Sequence, residues 1–332
     1  VADLCGYQFG LTGIFAFLLG YELGLPPMFN TDTGDPRVGY FGLMDHGSNN
    51  GRGIIPAPPT PWTRIKAGWV SEVININPLD NNVGIPIKAY DLSKDIYKID
   101  ISENEYFLIE NRNNWVYAQS EDSGENIESL SDGYAPGHWF DIFTGEFAPN
   151  QMQIHEPTGV ITGFDHYDYG LPGSGILIWH IKEPDEEQYL SGINNDRYNR
   201  HVQIEEADGA VDIGFESYTF FASQAVNVGW ELDFWFAENQ YYLDFGNPYA
   251  EEVVFDNQSH PNTRTTDGAE SFIAINNFGS IKDEMSISVT MDEGIEIVNL
   301  SDEPVYYLGN AVKNNTAYVF YGKGSNIYRH SY

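Results

Sequence analysis

Two short windows of the sequence concentrate side chains that carry oxygen atoms. The loop 30–35 reads Asn-Thr-Asp-Thr-Gly-Asp, and the window 194–212 holds several amides and carboxylates at close spacing. Calcium takes six to eight oxygen ligands from carboxylates, amides and carbonyls. We therefore predict calcium binding, while ordinary turn formation remains the alternative for both windows. The candidate ligands are Asp32, Asp35, Asn194, Asp196, Glu205 and Asp208.

Histidine occurs at two positions where its chemistry is of interest. His180 lies in the apolar run 175–181, Gly-Ile-Leu-Ile-Trp-His-Ile. A buried imidazole needs a hydrogen-bond partner, so we predict a neighbouring carboxylate, Glu205 or Asp208, with metal ligation as the alternative. The adjacent pair Asp45-His46 is a second hypothesis, in which His46 binds a ligand instead of lying in a surface loop.

Patterns for nucleophilic catalysis are missing from the sequence. The single cysteine, Cys5, has no recognisable partner, and Gly173-Ser174-Gly175 is too compact to be a Gly-x-Ser-x-Gly elbow. Acidic residues are abundant, but no motif indicates a carboxylate pair of the glycosidase type. The sequence therefore offers no support for a serine or cysteine hydrolase.

The elements that position these residues are a few helices followed by many strands. The apolar run 11–25 predicts a buried helix, and 58–69 predicts a second helix with Trp62, Ile65 and Trp69 inward. The run 175–181 predicts a strand buried on both faces, and 183–200 a charged loop. The predicted strands are 70–76, 84–90, 96–101, 106–111, 115–118, 175–181, 201–205, 271–276, 284–291, 294–300, 305–308, 316–321 and 325–328.

Composition excludes several classes of partner. The chain has 332 residues, with 16 Lys and Arg against 49 Asp and Glu, which gives a formal charge of −33. Nucleic acid needs a basic surface, so it is not expected as a partner. The longest apolar run is too short and too interrupted by glycine to cross a bilayer, so membrane insertion is not expected either. With one cysteine, the chain has no internal disulfide.

Several segments follow one another in an order that is typical of a known protein family. They are 23–30 (LGLPPMFN), 39–47, 62–69 (WTRIKAGW), 105–112 (EYFLIENR), 171–181 (LPGSGILIWHI), 201–209 (HVQIEEADG), 259–262 and 275–289. Together they resemble the immune inhibitor A family of secreted bacterial metallopeptidases. The segment 23–30 is similar to the family's LGLPDLYD, which follows its zinc-binding helix. The segment 39–47 is similar to its Met-turn, with Met44 in the core beneath the metal.

The resemblance implies an α+β fold, in which the C-terminal part of a zincin-like metallopeptidase domain is followed by β-rich, sandwich-like modules. Its division would be a remnant zincin-like subdomain at 1–70, a β-rich domain at 71–215, a β-sandwich-like module at 216–292 and a further β module or C-terminal extension at 293–332. Val1-Ala2-Asp3 does not resemble a signal peptide, and a lobe should precede the helix in this family. We therefore expect a mature or partial chain of a longer protein.

The chain departs from the family at the zinc site. A zincin helix carries His-Glu-x-x-His, in which two histidines bind zinc and the glutamate acts as general base. Aligned on Gly24, these three positions hold Phe17, Leu18 and Tyr21, and Pro27 stands where a third ligand would fall. None of these is a plausible zinc ligand, so zinc is not expected. The sequence predicts that apolar side chains fill the former zinc cavity.

The resulting expectation is a catalytically inactive, extracellular or cell-surface protein of metallopeptidase type. It would act by binding a protein or a glycan, or as structural material that self-assembles, with calcium ordering its loops. The alternative is an active zinc metallopeptidase whose ligands come from outside this segment or from a rearranged site near Asp45 and His46. Glu22, the remaining acid on the helix, is expected to be solvated.

Overall fold

The computed structural model describes residues 10–80, 82–90, 92–114, 152–155, 160–164, 167–217, 225–291, 306–313, 316–323 and 326–331. The fold is mixed α/β, with few helices and several sheets. The chain divides into two compact units, Val1–Asp292 and Glu293–Tyr332. Within the described part of the chain, no helix is long and apolar enough to cross a membrane.

The helices are short and lie mainly in the first unit. They are α1 (Thr12–Glu22), α2 (Asn50–Gly53), α3 (Pro61–Lys66) and α4 (Glu186–Ser191). Short 3-10 turns occur at Gly39–Phe41, His46–Asn49, Pro78–Asp80, Tyr167–Gly170 and Glu231–Asp233, and one π-helical turn at Tyr242–Gly246.

Fifteen strands are present among the described residues. In chain order they are β1 (Ile74–Asn75), β2 (Asn82–Lys88), β3 (Tyr97–Asp100), β4 (Glu105–Arg112), β5 (Met152–His155), β6 (Val160–Phe164), β7 (Gly175–Lys182), β8 (Val202–Ile204), β9 (Glu216–Ser217), β10 (Ala225–Val226), β11 (Ile273–Asn276), β12 (Glu284–Met291), β13 (Tyr306–Lys313), β14 (Thr316–Lys323) and β15 (Asn326–Ser331).

A five-stranded sheet forms the centre of the first unit. Its order is β1-β3-β4-β7-β8, with β1 parallel to β3 and all other pairs antiparallel. β7 is buried along nearly its whole length, as its continuous apolar sequence predicts, because both faces of the sheet are covered. Its neighbour β4 is buried at every position, and Phe107 of β4 pairs with His180 of β7.

A second sheet, β11-β12-β2, packs in the same unit. The antiparallel pairing of β11 with β12 agrees with the two strands predicted near 271–276 and 284–291. Buried side chains from Leu25 to Val289 belong to one hydrophobic core. The three predicted divisions 1–70, 71–215 and 216–292 therefore all contribute side chains to this core. The smaller sheets β9-β10 and β5-β6 complete the described part of this unit.

The helices differ from the prediction in two ways. Trp62 of α3 is buried as expected, but Trp69 is 54% exposed, because the helix ends at Lys66 and Gly68 turns the chain with a φ of +70°. The segment predicted as a charged loop contains α4, whose start is fixed by a capping box. In that box Asp185 accepts from the backbone N–H of Gln188, and the Gln188 side chain accepts from the N–H of Asp185.

The second unit is a three-stranded antiparallel sheet in the order β13-β14-β15. These strands coincide with three of the four short strands predicted near the end of the sequence. The fourth, 294–300, and the predicted strand 115–118 lie outside the described residues.

Candidate functional site

The positions that correspond to zinc ligands lie on α1 and just after it. Phe17 is half-buried and its ring contacts that of Phe29, with a centroid separation of 6.0 Å. Leu18 and Tyr21 are 53% and 60% exposed, and Pro27 is partly buried. The prediction that apolar side chains fill the former cavity is therefore wrong for Leu18 and Tyr21. These two side chains point to solvent because other residues form the inner face of the helix.

The most deeply buried positions of α1 are two glycines, and Ala16 and Phe17 pack partly against the core beside them. A Cβ atom on Gly13 would lie 1.7 Å from the backbone oxygen of Ser48, and one on Gly20 would lie 2.7 Å from the sulfur of Met44. These are the only fully buried residues of the helix. Met44 is completely buried beneath it, as predicted. The predicted helix is confirmed, but the prediction that it is buried is wrong for most of its large side chains.

Asp45 and His46 form a structural pair. The buried Asp45 carboxylate accepts from the backbone N–H groups of Arg37 and Val38 at 2.8 Å and of Gly39 at 3.2 Å. Its other oxygen lies 2.8 Å from Nδ1 of the half-exposed His46. The carboxylate therefore holds a turn of backbone together, which accounts for its burial without a ligand. Glu22 is exposed, as expected.

His180 is held between two carboxylates. Its Nδ1 lies 2.9 Å from Glu205 and its Nε2 lies 2.8 Å from Glu105, so the predicted partnership with Glu205 is confirmed and Glu105 adds a second partner. Burial lowers the pKa of His180, but the hydrogen bonds that it donates to Glu105 and Glu205 outweigh this effect and raise the pKa to about 9. The side chain is therefore an imidazolium at neutral pH.

The candidate calcium ligands of the loop 30–35 have other partners. Asp35 accepts from the hydroxyl of Thr33 at 2.7 Å and lies 3.5 Å from the guanidinium of Arg197. Asp32 is exposed, and its backbone N–H donates to the side-chain oxygen of Asn30. These contacts are those of a polar turn.

The candidates in the second window occupy three different environments. The buried Asn194 uses its amide to bridge backbone groups, since Nδ2 donates to the carbonyls of Met28 and Val202 and Oδ1 accepts from the N–H groups of His201 and Val202. Asp196 is exposed and accepts from the N–H of Tyr198. Glu205 is engaged by His180. Only Asp208, of the six candidates, joins a group suited to a metal ion.

That group is a buried carboxylate cluster of Glu206, Asp208 and Asp233. Each contributes one oxygen, and the three oxygens lie within 4.8 Å of one another. Glu206 and Asp208 come from the loop that follows β8, whereas Asp233 ends the turn Glu231–Asp233. The two segments are joined by a backbone hydrogen bond of 3.1 Å from the N–H of Ala207 to the carbonyl of Asp233.

Backbone and indole groups hold the three side chains in place. Glu206 accepts from the N–H of Asp212 at 2.7 Å, and Asp208 accepts from the N–H of Ala210 and the indole N–H of Trp230, both at 2.8 Å. Oδ2 of Asp233 accepts from the backbone N–H of Trp230 at 2.8 Å. Oδ1 of Asp233 is buried and has no hydrogen-bond partner in the described part of the chain.

The electrostatics of the cluster disfavour three negative charges. Burial raises the pKa of Glu206 to about 8, and the carboxylates of Asp212 and Asp208 add to this against the Asp212 N–H and Arg200. Burial, followed by the charges of Glu206 and Asp208, raises the pKa of Asp233 well above its usual range. A cation bound nearby would oppose both shifts and lower the two pKa values again.

The charge of Arg200 acts on Glu206, yet Arg200 forms no ion pair with a carboxylate among the described residues. Its Nη1 donates to the carbonyl of Arg37 at 2.9 Å, its Nη2 to that of Ile213 at 2.5 Å, and its Nε to that of Arg197 at 3.1 Å. Burial lowers the pKa of Arg200 to about 10. The guanidinium of Arg200 therefore donates to backbone carbonyls. Among the described residues, no Lys, Arg or His side chain forms an ion pair with Glu206, Asp208 or Asp233.

Sequence reasoning placed Glu206 in an oxygen-rich window but missed Asp233. The signal for Asp233 was available, because it is a lone acid in the apolar and aromatic run 232–236, Leu-Asp-Phe-Trp-Phe. An acid in such a run is expected to be buried and to need a partner.

Comparisons of the chain with protein-family models, with curated proteins and with solved structures find no match.

Proposed function

We infer that this chain is a non-catalytic protein of metallopeptidase type, with a zincin-like remnant followed by β-rich modules, which acts extracellularly by binding protein. The observation that carries the proposal is the surface of α1. The helix presents Leu18 and Tyr21 to solvent, at the positions where a zincin would carry its general base and its second zinc ligand. Such a surface is suited to association and has no group for hydrolysis.

The types of side chain present support a non-catalytic role. A catalytic zinc site uses three protein ligands, mostly histidine with a carboxylate, and a bound water. Among the described residues, the one group of three potential ligands is the carboxylate cluster of Glu206, Asp208 and Asp233. An all-carboxylate group suits hard cations and not zinc. His46 is the histidine nearest in sequence to α1, and its Nδ1 is engaged by the buried Asp45.

The apolar surface of α1 defines the chemistry of the partner. Seven side chains in and beside this helix are between 41% and 64% exposed: Leu11, Ile14, Phe15, Leu18, Leu19, Tyr21 and Leu23. Contiguous apolar surface of this kind is typical of protein-binding sites. Because sugars are recognised mainly through polar groups, this surface favours a protein partner over a glycan.

The charges near α1 indicate which charge a binding partner should carry. The hydroxyl of Tyr189 donates to the carbonyl of Gly24 at 3.1 Å, which places α4 beside the C-terminal end of α1. The start of α4 carries the exposed acids Asp185, Glu186 and Glu187. A partner with an apolar centre and a basic rim would therefore be attracted and oriented by charge. The net charge of −33 disfavours a second copy of the chain in this role.

Catalysis is tested with the purified protein, added Zn²⁺ and a quenched peptide library. We expect no hydrolysis above the buffer blank that is sensitive to 1,10-phenanthroline. Activity that co-elutes with the protein in size-exclusion chromatography, falls with the chelator and returns with zinc would overturn the proposal.

Binding is tested with a fluorescent amphipathic helix of leucine and lysine as the probe. We expect saturable binding by fluorescence anisotropy that weakens at least tenfold in the variant with Leu18→Ser and Leu19→Ser. The matched control is Leu79→Ser, which removes a side chain of similar exposure elsewhere on the surface. Equal binding by both variants and the native chain would rule out α1 as the binding surface.

A further inference from the structure

The carboxylate cluster has the geometry of a calcium site that is independent of the binding function assigned to α1. Two oxygens that share one calcium ion at bond lengths of 2.3–2.6 Å can be at most about 5 Å apart. The oxygens of Glu206, Asp208 and Asp233 meet this limit, since they all lie within 4.8 Å of one another. The separations therefore allow one ion to lie between the three oxygens.

Asp233 provides an observation that points to a ligand at this position. The residue is 1% exposed, and its Oδ1 has no hydrogen-bond partner among the residues that the structure describes. An unpartnered carboxylate oxygen is costly in a protein interior, because the group has lost water and gained nothing in exchange. The oxygens of Glu206 and Asp208 in the same group accept hydrogen bonds but retain lone pairs for a metal ion. A cation bound in the cluster beside Asp233 would offer Oδ1 the partner that the described residues do not supply.

Charge and donor type identify the class of cation. Three carboxylates carry a charge of −3 when ionised, and Arg200 is hydrogen-bonded to backbone carbonyls instead of to them. A divalent cation leaves a charge of only −1 in the cluster. Oxygen-only ligands favour calcium, magnesium or manganese over zinc and copper. Calcium tolerates irregular geometry, whereas magnesium demands a nearly ideal octahedron and gives up its waters reluctantly.

We propose that Glu206, Asp208 and Asp233 bind one calcium ion, which fastens the loop after β8 to the turn Glu231–Asp233. The site draws its ligands from segments about 25 residues apart in sequence, so the unfolded chain does not contain it. Binding of the ion therefore stabilises the folded state. The companion carboxylate Asp212, whose N–H donates to Glu206, lies at the edge of the same loop and adds negative charge that attracts the ion.

The site is tested on the whole chain by terbium luminescence, with Tb³⁺ standing in for Ca²⁺. The indole of Trp230 donates to Asp208, so it lies close enough to sensitise a bound lanthanide. We expect saturable luminescence in 150 mM NaCl and 5 mM Mg²⁺, with displacement by Ca²⁺. Calorimetry with Ca²⁺ alone should give one site per chain.

The decisive variant is Asp233→Asn, which keeps the shape of the side chain and removes one charge. We expect it to lower calcium affinity at least tenfold, whereas the control Asp196→Asn, an exposed acid of the same sequence region, should change it less than twofold. If Asp233→Asn does not fold by circular dichroism, Asp208→Asn is measured in its place. No saturable binding of calcium by the native chain up to 1 mM, or equal affinity in the two variants, would overturn the proposal. Neither result depends on α1.

Discussion

Two groups of buried carboxylates lie in the first unit, and they balance their charge differently. Beside β4, the guanidinium of Arg112 forms hydrogen bonds of 2.8 and 2.5 Å to Asp168 and one of 2.9 Å to Glu110, which also pairs with Arg64. In the carboxylate cluster of Glu206, Asp208 and Asp233, no side-chain cation makes such a contact within the described chain.

The pKa shifts of the two groups run in opposite directions for this reason. Burial raises the pKa of Glu110, but Arg112 and Arg64 lower it more, so the net result is a pKa below its ordinary value. Burial raises the pKa of Glu206 to about 8, and the weaker field of Arg200 does not reverse the shift. The comparison teaches that burial alone does not decide the charge of a carboxylate. The chain provides the counter-charge for one group, and we propose that a dissolved ion provides it for the other.

Removal of the internal counter-charge should have the largest effect. We expect Arg112→Met to reduce the free energy of unfolding by about 3–5 kcal/mol, because Asp168 and Glu110 would be left buried without their main cation. Urea unfolding followed by circular dichroism measures this. The control Arg264→Met breaks an exposed pair with Glu270 and should cost at most about 1 kcal/mol. Losses of similar size in the two variants would contradict the role given to Arg112.

His180 offers a counter-charge that pH can remove. Its pKa is about 9 in the folded chain and about 6.5 when unfolded. A raised pKa stabilises the fold fully below pH 6.5, and this contribution is lost as the pH rises through 9. We expect stability in saturating calcium to fall by on the order of 3 kcal/mol over this range.

Two variants isolate the contribution of His180 to that pH profile. In His180→Gln the slope between pH 6.5 and 9 should largely disappear, because no imidazolium remains between Glu105 and Glu205. The slope should persist in His201→Gln, which replaces a second buried histidine whose Nδ1 contacts the carbonyl of Lys182. Identical profiles for His180→Gln and the native chain would show that another group controls the pH dependence.

An external counter-charge should make stability depend on calcium. At 100 times its dissociation constant, calcium should add about 2.7 kcal/mol to the free energy of unfolding of the native chain. In Asp233→Asn the gain should be much smaller. In the presence of chelator alone, this variant should be at least as stable as the native chain, because one of three like charges has been removed. A variant that is less stable than the native chain under both conditions would indicate a purely structural role for Asp233.

The sequence predicted the structure best where the pattern of a single strand determines burial or where a buried side chain needs a single type of partner. The continuous apolar run of β7 predicted burial on both faces, and an imidazole in that run predicted a carboxylate partner, found in Glu205. Charge balance was harder to predict, because it depends on residues distant in sequence. Arg112 meets Asp168, and Asp208 meets Asp233, only after the chain has folded.

The helix α1 shows a second limit of sequence reasoning. Its sequence is apolar on all sides, so periodicity does not distinguish an inner from an outer face. The prediction placed Leu18 and Tyr21 inside, whereas close contact with Ser48 and Met44 is made by glycines that leave no room for large side chains. An apolar pattern predicts that a helix is covered, but not by which part of the molecule or by which partner.

Substitutions on the buried and the exposed face of α1 should have the smallest effects on the free energy of unfolding. They compare buried with exposed positions for apolar groups, as the preceding variants do for charged groups. We expect Gly13→Ala to destabilise the fold by about 1–3 kcal/mol, because its Cβ would collide with the backbone oxygen of Ser48 and force the helix outward. Leu18→Ser should change stability by less than about 0.5 kcal/mol, because half of this side chain is exposed in the folded state. Urea unfolding of both variants measures the difference. A loss of more than 1 kcal/mol for Leu18→Ser would mean that its outer face is already covered in solution, and the free surface required for partner binding would not exist.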